Sequence, residues 1–173
     1  MKSIQFNKSR ALVCALLLGS VATLSQLSAA SSVNLGLSGA VPPILELSIQ
    51  GSGGASTLTP SSDTSGEQIA VVFETCNDAD GYTVTMVSTN GDGADANTGV
   101  LVGTDEGETL AYTVSYNESA VSMTDGTAVV TDASSKTAAS GVGKILRVTY
   151  DGSSSNLAAD TYTDTLTFSI AAK

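Results

Sequence analysis

The sequence predicts an all-β fold, an immunoglobulin-like antiparallel sandwich, on three observations. Short runs carry apolar residues on alternate positions, the period of a strand with one buried face. These runs are rich in Val, Ile, Thr and Tyr, and clusters of Gly, Asn and Asp that tolerate positive φ separate them. No long stretch shows the 3.6-residue spacing of an amphipathic helix. Several short strands with regular turn signals fit a sandwich of immunoglobulin size.

Residues 1–30 read as an export signal outside that fold. Lys2, Lys8 and Arg10 form a positive start, Ala11–Val21 a short apolar core, and Ser28-Ala29-Ala30 a small-residue cleavage site. The apolar run is too short for a comfortable membrane span. The mature chain then opens on Ser31–Val41, in which Val33, Leu35, Leu37, Gly39 and Val41 alternate as one face of a strand. Pro42 and Pro43 end it, because proline cannot donate to a ladder. The domain is assigned to residues 42–173.

Within it, Ile44–Gln50 alternates, with Leu45, Leu47 and Ile49 inward. Ile69–Thr75 is nearly continuous apolar, as a central strand would be. Tyr82–Ser88 and Leu110–Tyr116 follow, then a shorter run at Thr127–Thr131, then Lys144–Tyr150. The last run, Thr161–Ala171, reads as one closing strand with Tyr162, Leu166, Phe168 and Ile170 inward. Residues 132–143 read as a surface loop.

The composition narrows the function classes. The full chain carries a net charge of −10 and contains no histidine. After cleavage only Lys136, Lys144, Arg147 and Lys173 remain against all 17 acidic residues. Nucleic acid and anionic lipid need a basic footprint, so neither is an expected partner. Without histidine there is no Ser-His-Asp or Cys-His arrangement and no imidazole ligand, and no phosphate-binding Gly-rich loop opens a helix. No enzymatic activity, cofactor or metal is expected. Asn77–Gly81 and Asn90–Asp95 offer oxygen ligands, but neither has the spacing of an EF-hand loop, and both read as hairpin loops. Cys14 leaves with the signal, so Cys76 is alone and reads as a small buried hydrophobe. Asn117-Glu118-Ser119 matches a glycosylation acceptor pattern.

Two stretches carry a resemblance. VNLGLSGAVPPILELSIQG, Val33–Gly51, resembles the start of pilins of the chaperone–usher pathway, above all the alternate and archaic classes. Ala159–Ile170, ADTYTDTLTFSI, resembles the closing strand of those pilins and of the related spore coat U-like domain, and Gly81–Ser88 fits their middle strands. The chain departs from relatives that hold a disulfide. The resemblance implies a sandwich lacking one strand, completed by a donor strand from another copy. Leu45, Leu47 and Ile49 would form one wall of the acceptor groove, and Tyr162, Leu166, Phe168 and Ile170 the other. Val33, Leu35, Leu37 and Val41 would be the plugs, with Gly39 at a shallow pocket. The implied partners are sibling subunits, a periplasmic chaperone, an outer-membrane usher, and a host or abiotic surface. The implied location is the periplasm in transit and then the cell surface, as a fimbrium supporting adhesion or biofilm formation. Two other readings stay open: a secreted monomeric sandwich that binds a ligand or Ca²⁺ and keeps Val33–Val41 in its own sheet, and a spore-coat or matrix protein.

Overall fold

The computed structural model describes residues 31–91 and 97–173. The proposed signal at 1–30 and part of the Asn90–Asp95 loop lie outside the described residues. The chain divides into two units, Met1–Gly39 and Ala40–Lys173. In the first, residues 31–39 carry no helix or strand and are exposed.

The second unit is an antiparallel β-sandwich. Its strands are β1 (Leu45–Gly51), β2 (Thr64–Cys76), β3 (Tyr82–Ser88), β4 (Gly99–Gly103), β5 (Thr109–Tyr116), β6 (Ser119–Ala120), β7 (Thr127–Ala133), β8 (Val142–Tyr150), β9 (Tyr162–Thr163) and β10 (Leu166–Ala172). A 3₁₀ turn spans Gly53–Ser56. One sheet runs β1-β2-β8-β5-β4-β9, with β6 folded onto β5; the other runs β10-β3-β7. Every strand pairing is antiparallel. The core lies between the sheets, where Val72, Val84, Met86, Val114, Leu146 and Val148 are buried.

Alternation accounts for the strands. On β2, Ala70, Val72, Glu74 and Cys76 turn inward, while Phe73 turns out. Cys76 is buried at 1% exposure, as a small hydrophobe would be.

Three elements depart from the sequence reading. β2 begins five residues before Ile69, because a bulge at Gly66 (φ 68°) carries the ladder past an apolar–polar break. β4 was not expected at all: its run is only five residues and has no polar alternation. Gly99 is required there, since a Cβ would meet the Tyr112 ring at 2.3 Å. The expected single closing strand is two. β9 pairs β4 in the first sheet, and β10 pairs β3 in the second. The break falls at Asp164, whose carboxylate accepts hydrogen bonds from Tyr112 Oη (2.5 Å), Ser88 Oγ (2.6 Å) and the backbone N–H groups of Asn90 (3.1 Å) and Thr165 (2.7 Å). That carboxylate is tied to both sheets, so the chain changes sheet around it.

Candidate strand-docking site

The register of two edge strands defines the site. β1 ends one side of the first sheet and β10 ends one side of the second. They approach within 8 Å between Cα atoms, yet exchange no ladder hydrogen bonds.

The phase of each ladder shows which main-chain groups are free. Asn77 N donates to Ile44 O (3.1 Å) and Ser52 N to Ile69 O (2.9 Å). Bonding therefore falls on Glu46, Ser48 and Gln50, and the N–H and C=O groups of Leu45, Leu47 and Ile49 face the open edge. On β10, Thr89 N donates to Thr165 O (3.0 Å) and Lys173 N to Gly81 O (3.2 Å). Thr167, Ser169 and Ala171 then bond to β3, while Leu166, Phe168 and Ile170 present their main chain to the open edge. An unpaired edge of this kind is a template for another strand.

Side chains of the same residues line the space between the edges. Leu47, Phe168 and Ile170 pack beside Cys76, Tyr82 and Val84, and Leu166 joins the main core. Leu45 and Ile49 remain 39% and 52% exposed. Tyr162 does not share this row. It sits on β9 and hydrogen-bonds through Oη to Glu108 and to Ala158 O. Tyr162 and Leu166 instead line one open cavity of about 510 Å³, with Ile69, Leu101, Tyr112 and Val148. At its rim, Asp160 accepts backbone N–H groups from Glu106, Asp105 and Thr161, which lower its pKa to about 2.

The residues expected as plugs are exposed: Val33 at 92%, Leu35 at 85%, Leu37 at 89% and Val41 at 83%. Gly39 has no atom within 4 Å of where a Cβ would be.

Behind the edges lies a polar cluster that the sequence reading missed. Glu74 is fully buried. Its Oε1 accepts from Tyr116 Oη (2.6 Å) and Thr131 Oγ1 (2.7 Å), and its Oε2 from Tyr82 Oη (2.8 Å) and Lys144 Nζ (2.9 Å). Lys144 also donates to Thr131 Oγ1 (2.6 Å) and lies 5.6 Å from the Tyr116 ring centroid. Tyr82 and Thr131 come from one sheet, the other three from its partner, so the cluster fastens the layers together. Tyr116 stacks on Phe168 at 6.0 Å, joining the cluster to β10. Burial, reinforced by the bond to Glu74, pushes the hydroxyls of Tyr82 and Tyr116 well above the ordinary phenol value. The available signal was a lone Glu at an inward position of an apolar run.

No protein-family model and no curated protein matches the chain. Among the described residues no group of three or more His, Cys, Asp or Glu side chains could hold a metal ion, and no helix is long and apolar enough to cross a membrane. In the Asn77–Gly81 loop, Asp78 Oδ1 accepts the N–H of Asp80 (2.9 Å), a local Asx turn.

Proposed function

We propose that the chain is a structural subunit of a surface fibre, polymerised by strand exchange. Residues 31–41 of one copy occupy the edge between β1 and β10 of the next. A periplasmic chaperone holds that edge before assembly, and an outer-membrane usher carries out the exchange. The reading follows the resemblance to chaperone–usher pilins. One observation carries it: two neighbouring edges leave free main-chain groups on the residues whose apolar side chains line the gap, in a chain that also has an exposed alternating apolar arm. Strand addition uses those two features, main-chain hydrogen bonds for affinity and alternate pockets for register.

The magnitudes are adequate. Val33, Leu35 and Leu37 would each contribute ~1.5–3 kcal/mol on full burial, before ordering costs. An inserted strand needs about 9.5 Å between its two neighbours, twice the strand spacing. β1 and β10 come closer than that in places, within 8 Å between Cα atoms, so docking widens the gap where they are nearest.

The test is an unboiled denaturing gel of the purified mature protein beside forms lacking residues 31–41 or carrying Leu35→Asp. A heat-sensitive ladder present in the first and absent from the other two is expected. A ladder that persists without the arm, or in Leu35→Asp, refutes the donor assignment. The secreted binding module is favoured by the open cavity near β9. It predicts a single monomer band from all three forms.

A further inference from the structure

We propose that Asn77, together with Pro42 and Pro43, prevents the arm from completing its own domain and so reserves it for a second copy. The inference rests on the strand-exchange reading above. An exposed apolar arm joined directly to β1 has an obvious competitor to any partner, namely its own open edge. Only Pro42, Pro43 and Ile44 separate the arm from β1. To enter its own edge the arm would turn back within those residues and run antiparallel beside β1, as a hairpin.

Two features oppose that turn. The free groups lie on Leu45, Leu47 and Ile49, so an in-register return closes Val41 on Leu45 through the three-residue loop Pro42-Pro43-Ile44. Such a loop takes two right-handed residues and then a left-handed one; Pro43 holds Pro42 out of the right-handed region, and β-branched Ile44 resists positive φ. Beyond this, Asn77 makes three hydrogen bonds across the junction. Its Nδ2 donates to Pro42 O (2.8 Å), its Oδ1 accepts from Ile44 N (2.7 Å), and its own N–H donates to Ile44 O (3.1 Å). Asn77 directly follows β2, so it binds the junction on the paired side of β1, opposite the open edge. The bonds extend the β1–β2 ladder by a residue. They also occupy Ile44 N–H and Pro42 C=O, groups near the point where a returning strand would close its turn. Asn77 is thus a positioning residue. The sequence reading placed it in a turn, and its side chain serves the neighbouring junction.

The experiment compares monomer fractions of the mature protein, of Asn77→Ala, and of a double variant, Pro43→Asp with Ile44→Gly, which supplies a three-residue hairpin loop with glycine at its left-handed position. A labelled synthetic peptide of residues 31–41 is the probe, and its affinity is read with oligomeric state and melting temperature. The double variant should be monomeric and melt higher than the mature protein. It should bind the peptide at least about a hundredfold more weakly, because a short tether presents the arm at an effective concentration on the order of millimolar. Deleting residues 31–41 from it should restore peptide binding, and Asn77→Ala should move the same way by a smaller factor. If the double variant assembles and binds peptide as the mature protein does, the proposed barrier is wrong although strand exchange stands. If the double variant closes on itself while Asn77→Ala behaves as the mature protein, the loop residues alone form the barrier and the role of Asn77 is refuted. If the form lacking residues 31–41 binds no peptide, strand exchange itself fails, and this inference with it.

Discussion

Glu74 and the β1–β10 edge are solvated against their chemistry in opposite directions. The carboxylate of Glu74 is fully buried, while Ile49 is 52% exposed and Leu37 89%. The difference lies in where the partners are. Glu74 finds two tyrosines, a threonine and a lysine within its own domain. A buried charge is tolerable only under such complete pairing. The aliphatic side chains along the edge, and separately those of the arm, are left exposed. One region is satisfied within the chain; on the strand-exchange proposal, a second copy completes the other.

The comparison predicts the largest effect on the folded domain at the Glu74 cluster. Glu74→Ala strands Lys144 beside two buried tyrosines and leaves a void between the sheets. Removing one partner of a buried pair costs ~3–5 kcal/mol, a large share of a domain's stability. Urea unfolding of an arm-deleted monomer reads it directly. A loss below about 1 kcal/mol would mean that the cluster does not hold the layers together.

A smaller effect follows from pH. The pKa values of Tyr82 and Tyr116 are raised in the folded state, first by burial and then by Glu74. The neutral phenols therefore contribute stability that is complete below the unfolded value near 10 and is lost as pH rises beyond it. Melting temperature should fall through the alkaline range above pH ~10. Tyr82→Phe, which cannot ionise, should flatten part of that fall. An unchanged alkaline slope in Tyr82→Phe would show that the hydroxyl does not couple ionisation to folding.

Much of this architecture is legible along the chain, and the exceptions share a cause. β3 and β5 follow alternation that a reader can count, because their inward faces meet an ordinary apolar core; β1 alternates as clearly, although only Leu47 of its apolar row is half-buried. The closing run misleads at Asp164, since its partners Tyr112 and Ser88 are distant in sequence and nothing local announces a change of sheet. Tyr162 shares the inward spacing of Leu166, and the resemblance puts it in the groove wall, but it lies on β9 and lines the cavity beside that strand. The Glu74 cluster draws residues from five strands, so no short window contains it. Edge status is equally non-local: the period of β1 shows which face is apolar, but only the strand order shows that its main chain is unpaired.

The smallest effect on the isolated domain is expected at the open edge, and it separates the two regions most sharply. Ile49 is half-exposed, so Ile49→Ala removes few native contacts and should cost the arm-deleted monomer under about 1 kcal/mol. With the arm peptide seated between β1 and β10, the same side chain would be covered. Losing it would then cost a further ~1–1.5 kcal/mol, a roughly tenfold weaker peptide affinity. Measured together, the two numbers give the share of Ile49 burial that belongs to assembly. A large loss in the free monomer with no change in peptide affinity would place Ile49 in the domain's own core, and the edge would then be a closed part of the fold.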